Sequence, residues 1–374
     1  MAYWQVLNKS CDFLGNVLKF DQAILDQQQQ SLVRELCHLP CFNQLKIDGI
    51  RYIDAGLSNA CFHVSYENKS FFAKHLSANS IEPLASQLAA SNGIAPKLVY
   101  VDHNWLITEF ITGQGLEKSD QSEDEKIAIV LALLARCHSI FAVNISHHSH
   151  GTHQALAQKI LLSDLNLPIK PCIPNLDTSA TIKQLLQKTE LSVAQDNALH
   201  VLLAMLEKSL ADTIKIVPNR QQVLCHGDTN FSNVIQRVND DKTAKPIYQL
   251  IDFECACIAP IEYDLAMLMA VNHINANKVE RIKLLYQQAL ISLNLQKNPL
   301  DIVDNLASKV QDTLEISVEL VTCYLDLSFL INALWYLAEY QSRKQLKYKK
   351  LAEKQLNILA IRYPQANIFL NEMR

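Results

Sequence analysis

Basic residues are what this sequence has too few of for a nucleic-acid binder. Its 34 lysines and arginines are outnumbered by 38 acidic residues, for a net charge of −4, and no Lys/Arg-rich tract stands out. A nucleic-acid-binding surface is therefore not expected. Glycine is also scarce, at 8 residues in 374. The cysteines include two close pairs, Cys37/Cys41 and Cys255/Cys257, and no histidine partners them at ligand spacing. That excludes a zinc array. The opening Met1–Ser10 segment lacks the basic-then-apolar order of a secretory signal. A cytoplasmic location with reduced, mostly buried thiols is the expectation. There is no internal repeat. One apolar stretch, Leu320 to Ala338, is long enough to test as a membrane span. Asp326 near its middle and acidic neighbours at Glu315, Glu319 and Glu339 favour a buried helix instead, with no membrane partner.

What is present is ample apolar material, 49% of the chain, enough for two lobes each with its own core. Residues 1–44 read as an N-terminal helical extension, with Phe20, Ile24, Leu32, Val33 and Leu36 on one face and Gln27–Gln30 on a solvated face. Residues 45–112 read as a β-rich lobe. Its strands are Ile47–Asp54, Cys61–Tyr66, Ser70–Leu76, Lys97–Val101 and Trp105–Ile111, with a helix from Ser80 to Asn92 capped by Gly93. Gly113 and Gly115 read as a flexible connection. Residues 113–374 read as a helical lobe, with helices at Lys126–Ile140, two within Thr178–Ile216 and several within 261–362, the first of these opened by Pro260. The expected fold class is α+β and bilobal, with ligands between the lobes.

The chemistry concentrates in Cys225-His226-Gly227-Asp228-Thr229-Asn230-Phe231-Ser232-Asn233 and in Ile251-Asp252-Phe253-Glu254. Between them lie two short β runs, Val234–Val238 and Ile247–Ile251, around a turn-rich Asn239–Pro246. A hairpin there returns the chain to its start and brings Asn233 beside Asp252. Asp228-x-x-x-x-Asn233 has the spacing of the catalytic loop of protein kinases. In that reading Asp228 aligns or accepts the proton of an attacking hydroxyl, and Asn233 and Asp252 give Mg²⁺ hard oxygen donors beside nucleotide phosphates. His226 is either a general base or a brace for the loop, the brace being favoured. Glu254 reaches the metal or the substrate, or accepts a hydrogen bond behind them. Asp264, a lone acid in Glu262-Tyr-Asp-Leu-Ala266, needs donors and is expected to take them from the catalytic loop.

In the β-rich lobe, Lys74 sits inside an apolar strand and Glu82 lies on the next helix. Together they read as a phosphate-contacting lysine and its steadying acid. Gly56-Leu57-Ser58-Asn59 would cover the phosphates with backbone amides, although one glycine is a weak signal for such a loop. Glu109-Phe110-Ile111 falls where adenine would bond to backbone. Two further clusters carry both a functional and an ordinary reading. His147, His148, His150 and His153 form a metal site or merely a polar loop. Tyr324, Trp335, Tyr336 and Tyr340, with Asp326 and Glu339, form a pocket for a cationic substrate or core packing.

These residues resemble the aminoglycoside phosphotransferase and choline kinase superfamily of small-molecule kinases. His226-Gly-Asp-x-x-x-x-Asn233 is similar to its catalytic loop, Ile251-Asp-Phe-Glu254 to its metal-binding segment, and Glu262-Tyr-Asp-Leu-Ala266 to the helix that follows. Ala55–Phe62, Lys74, Glu82 and Ile94-Ala-Pro-Lys97 fall in the same order, so the resemblance runs from about residue 45 to about residue 270. It implies a protein-kinase-like fold, ATP and Mg²⁺, and transfer of a phosphoryl group to an alcohol. The Gly-Leu-Ser-Asn59 turn, the Asp-Phe-Glu254 segment and Asn-Ala-Leu-Trp-Tyr336 look nearest the choline, ethanolamine and thiamine kinases, which implies a small cationic alcohol as acceptor. Thiamine itself, homoserine, a sugar or an aminoglycoside are alternatives on the same machinery, and a nucleotide-binding pseudokinase is a further one. The single glycine of the phosphate turn and the lack of an arginine just before Glu82 depart from the pattern.

Overall fold

The computed structural model describes residues 26–53, 59–145, 172–217, 220–238, 246–297 and 315–373. In chain order its first elements are α1 (Gln27–Leu36), β1 (Ile50–Ile53), β2 (Cys61–Tyr66), β3 (Lys69–His75), α2 (Glu82–Ser91), β4 (Leu98–Val101), β5 (Trp105–Glu109), β6 (Gly113–Gly115) and α3 (Glu123–His138). Then come β7 (Ala142–Ile145), α4 (Thr178–Leu186), α5 (Val193–Ile216), β8 (Arg220–Cys225), β9 (Val234–Arg237), β10 (Ile247–Leu250) and β11 (Cys257–Pro260). The remaining helices are α6 (Ile261–Val271), α7 (Val279–Lys297), α8 (Val318–Arg343), α9 (Leu346–Ala360) and α10 (Ala366–Met373). The described residues fall into two compact units, one within 26–140, 172–173 and 230–256, the other within 141–145, 174–229 and 257–373.

The first unit holds a five-stranded antiparallel sheet in the order β1-β2-β3-β5-β4. Phe62 and Val64 of β2, two residues apart and so on one face, join Ala73, Trp105 and Ile107 in a core completed by Leu32, Val33 and Leu36 of α1. The described part of the expected N-terminal extension is thus a wall of the sheet's own core, and residue 44 is no boundary. Asp26 and Gln29 form a capping box at the start of α1, and Gln27, Gln28 and Gln30 face solvent as expected. Ile47–Gly49 is a 3₁₀ turn where a strand was expected.

A second sheet, β10-β9-β6, belongs to the same unit. The expected hairpin is there, in the register Val234↔Leu250, and the Ile251 N–H donates to the Asn233 carbonyl at 3.0 Å. Gly113–Gly115 is an edge strand paired with β9 rather than a flexible connection. A Cβ on Gly113 would lie 2.2 Å from the Gln236 carbonyl oxygen, so glycine here lets two backbones meet. Residues 113–140 and 230–256 therefore go with the sheets, not with the helical part. The segment before β4 is tied to β10. Leu250 N–H donates to Ile94 O at 2.8 Å, and the buried Gln249 side chain donates to Ala95 O at 2.9 Å.

The second unit carries a three-stranded sheet, β7-β8-β11, and the helices from α4 onward. Every residue of α6 is buried, and Pro260 sits at its N-cap. α8 packs on α5, α6 and α9. Its length and apolar composition would suffice to cross a membrane, but 78% of its most apolar window is buried within the protein, so it is a core helix. Asp326, the charge inside it, is paired with Arg362 and accepts from the Tyr363 hydroxyl at 3.0 Å. Among the described cysteines, Cys61, Cys137, Cys225 and Cys257 are buried, while Cys172 and Cys255 are exposed.

Candidate active site

Strand β3 places Lys74 opposite Cys61 on one side and Leu106 on the other, which buries it to 2% exposure. A buried ammonium needs compensation. Three carboxylates supply it: Glu82 from α2 at 2.7 Å, Asp252 at 2.7 Å and Glu254 at 3.2 Å. Burial alone would lower the Lys74 pKa, but Asp252, Glu82 and Glu254 outweigh it and hold the pKa well above the ordinary lysine value. Burial pushes the Glu82 carboxyl above the usual carboxylate range, against the pull of Lys74. Asp252 itself has a left-handed backbone, φ 66° and ψ 65°, which Asp tolerates better than most residues. From it the chain turns through Phe253–Cys255, so that Asp252 and Glu254 both reach the lysine.

The same unit holds an apolar pocket that is open to solvent. Ile53, Phe72, Pro96, Leu106, Ile235 and Ile251 give it greasy walls, and Glu109, Phe110 and Ile111 line it where adenine was expected. Glu82 and Asp252 line it too, so the Lys74 cluster borders the pocket. Glu109 is half-buried and pairs with Arg237 at 3.6 Å. Asn233, fully buried, ends the turn Phe231–Asn233 that Asn230 caps through the Ser232 N–H at 2.9 Å.

Asp228 belongs to the other unit, the division falling between Thr229 and Asn230. There Cys225 ends β8, and the chain leaves it through Gly227 at φ 76°, a conformation that favours glycine. Asp264, in the first turn of α6, accepts from the His226 N–H and from the Gly227 N–H, each at 2.8 Å. His226 is fully buried, and its Nδ1 accepts from the Asp228 N–H at 3.3 Å, the geometry of a brace. Thr229 O accepts from Asn272 at 2.9 Å. Tyr336 of α8 is close enough to Asp228 that, after burial, this carboxylate is the next cause holding its hydroxyl pKa far above the usual range.

Residues 49–291 match the model of the phosphotransferase enzyme family. The chain belongs to that family. No curated protein matches it in sequence. In structure it is similar to an ethanolamine kinase of Plasmodium vivax, at 16% identity and a TM-score of 0.58, with 96% of this chain and 95% of that one covered. A microcompartment-associated aminopropanol kinase gives 14% identity and a TM-score of 0.57 over 92% and 98% of the two chains. The choline kinase LicA of Streptococcus pneumoniae, in complex with AMP, gives 15% and 0.54 over 89% and 99%. The fold of this phosphotransferase is accordingly protein-kinase-like.

Several expected site residues of the phosphotransferase are joined in the first unit: Lys74, Glu82, Asp252, Glu254 and Asn59, whose amide donates to Glu254 at 3.0 Å. Gly56, Leu57 and Ser58 lie outside the described residues, as do His147, His148, His150 and His153. The aromatic stripe does not form an acidic pocket as a whole. Tyr324 is core, packed edge-on to Tyr263 at 5.7 Å; Asp326 is committed to Arg362, and Glu339 to Arg343 at 2.6 Å. Trp335 is half-buried and packs edge-on against Tyr336 at 5.2 Å and Tyr348 at 6.3 Å. Sequence reading missed the clamp made by Gln249. Its signal was a lone amide inside the apolar run Ile247-Tyr-Gln-Leu-Ile251.

Proposed function

We propose that this phosphotransferase is an ATP-dependent small-molecule kinase that transfers the γ-phosphoryl group to the hydroxyl of a small cationic alcohol of the choline or ethanolamine kind. The observation that carries the reading is the buried Lys74, gripped by Glu82 and Asp252 where both line an apolar pocket. A phosphate-binding lysine needs such a steadying acid, and an adenine needs such walls. Backbone at Glu109 and Ile111 serves the base, Lys74 the phosphates.

Asn233 and Asp252 carry hard oxygen donors and are held at adjoining ends of one hairpin, a donor set that suits magnesium. Bound there, magnesium supplies neutralisation of the phosphate charge. Asp228 aligns the acceptor hydroxyl and takes its proton as the new P–O bond forms and the γ-phosphorus parts from the bridging oxygen, which leaves on ADP. Asp264 and His226 hold the loop that presents it. The rate gain comes mainly from positioning and fixed charge.

Two observations support a cationic acceptor. Trp335, half-buried against Tyr336, supplies an aromatic ring in the unit that holds Asp228. The structural neighbours named above are kinases of ethanolamine, aminopropanol and choline. Coupled ADP release across choline, ethanolamine, aminopropanol, thiamine, homoserine, a hexose and an aminoglycoside tests the assignment. Turnover is expected to be highest on an amino alcohol. Preference for the hexose or the aminoglycoside would overturn the acceptor class. Stabilisation by ATP and magnesium without turnover of any alcohol would indicate a nucleotide-binding adaptor instead.

A further inference from the structure

Gln249 is an odd residue for its place. It is 7% exposed within the apolar run of β10, where a leucine or methionine of similar size would fill the space. Its Nε2 donates to Ala95 O at 2.9 Å, and that carbonyl partner fixes which end of the amide is the donor. The other end, Oε1, is buried and meets no hydrogen-bond donor among the described residues. A buried acceptor left without a donor destabilises the fold. Space-filling alone would therefore favour an apolar side chain, and the bond to Ala95 is what the amide adds.

The importance of that bond lies in what it holds. β10 is an edge strand of its sheet, and residues 94 and 95 are tied to it. The Leu250 N–H donates to Ile94 O at 2.8 Å, and Gln249 takes the next carbonyl, that of Ala95. Two residues further, Lys97 O accepts from the Glu109 N–H at 2.9 Å. Pro96 lies between these anchorages and has no N–H with which to add another. Ala95 and Pro96 line the pocket, together with Glu109, Leu250 and Ile251. Of the two ties to β10, the one made at a lining residue of this wall is the Gln249 bond.

We infer that Gln249 is a positioning residue for the nucleotide base: it holds the Ala95–Pro96 wall of the pocket to β10, and the grip on adenine depends on that hold. The inference rests on the reading of the pocket as the ATP site and deepens it. Gln249 acts through Ala95 and Pro96, so its effect follows the base and not the phosphates.

The test compares wild type with Gln249→Met, which keeps the length and drops the amide, and with Gln249→Asn, whose amide falls one methylene short. Calorimetric titration measures adenosine and ATP separately, and steady-state kinetics give KM and kcat. Each variant is expected to bind both ligands about fivefold more weakly, by the same factor, as one hydrogen bond is lost. KM for ATP should rise accordingly, with kcat at saturating ATP little changed. Gln249→Met also removes the unsatisfied Oε1, and is expected to melt within about 3 °C of wild type. Unchanged adenosine affinity, whatever the melting temperature, would make the bond merely architectural and overturn the inference. So would a loss for ATP that adenosine does not share. Should the variants fail to fold, wild type still decides. Base and wall are linked reciprocally, so adenosine is expected to slow amide hydrogen exchange at Leu250, beside the clamp. Exchange there that ignores bound adenosine would sink the inference. A wild type that binds neither adenosine nor ATP would instead bring down the ATP reading itself.

Discussion

Two acidic centres of this phosphotransferase are compensated in opposite ways. Around Lys74, Glu82, Asp252 and Glu254 share one ammonium. At the loop that carries Asp228, one carboxylate, Asp264, accepts from two main-chain N–H groups. The first centre is over-supplied with negative charge and held by side chains that rotate. The second is matched, oxygen to donor, and held by backbone. Charge that must be rearranged when a phosphate arrives belongs with the first kind; a loop that must stay in place belongs with the second. Asp326, balanced by Arg362 and the Tyr363 hydroxyl, is a third charged centre, one that ties α8 to the chain following α9.

The sharpest test of that contrast is Asp228, which the second centre holds but does not need. Asp228→Ala is expected to lower kcat by about 10²–10⁴-fold while ATP affinity and thermal stability stay near wild type. Steady-state kinetics with calorimetric titration of ATP measure both sides, and undiminished turnover would remove Asp228 from the mechanism. At the first centre, Lys74→Ala strands buried carboxylates and is expected to cost about 3 kcal/mol in urea unfolding, besides weakening ATP. Asp264→Asn keeps one acceptor where two are used. A loss of about 2 kcal/mol is expected, with a fall in kcat, because the loop slackens. An Asp264→Asn protein as stable and as fast as wild type would break the comparison.

The fold and the hairpin between Asn233 and Asp252 were legible because their signals are local. Alternation marks β2, β3 and the β9–β10 hairpin, and the spacing of Asp228, Asn233 and Asp252 needs only a hairpin to acquire meaning. The Asp264 bonds were legible for a related reason: a lone acid in an apolar helix must find donors. What escaped is what long-range pairing decides. β11 is a strand because β8 is there to pair with it, Cys225 opposite Cys257, and β8 in turn lies between β11 and β7. Gly113–Gly115 looked like slack chain because nothing nearby in sequence reveals the partner strand. The acidic half of the aromatic stripe looked free because Arg362 lies 36 residues beyond Asp326.

The smallest effect expected concerns neither centre and calibrates both. His273, at φ 56°, is held down to a pKa of about 4 by burial first and by Lys354 second, and its ring Nδ1 meets the Gln355 amide at 3.3 Å. The unfolded chain takes up a proton near pH 6.5 that the folded protein refuses until about pH 4. Stability is therefore full above about 6.5 and lost as pH falls through that window, by about 1–2 kcal/mol once the ring's partial exposure is allowed for. His273→Asn, which suits the left-handed backbone, should flatten this slope in thermal melts taken between pH 7 and 4.

The hairpin register has one more consequence, a matter of parity. Successive residues of a strand look to opposite sides, and Asp252 follows β10 by two positions. Deleting a single residue from β10 would reverse the sides of the strand residues beyond it and carry Asp252 out of step with Lys74. Deleting two would shorten the strand yet keep the sides as they are. Insertions and deletions in this strand should therefore be tolerated in even numbers before odd ones.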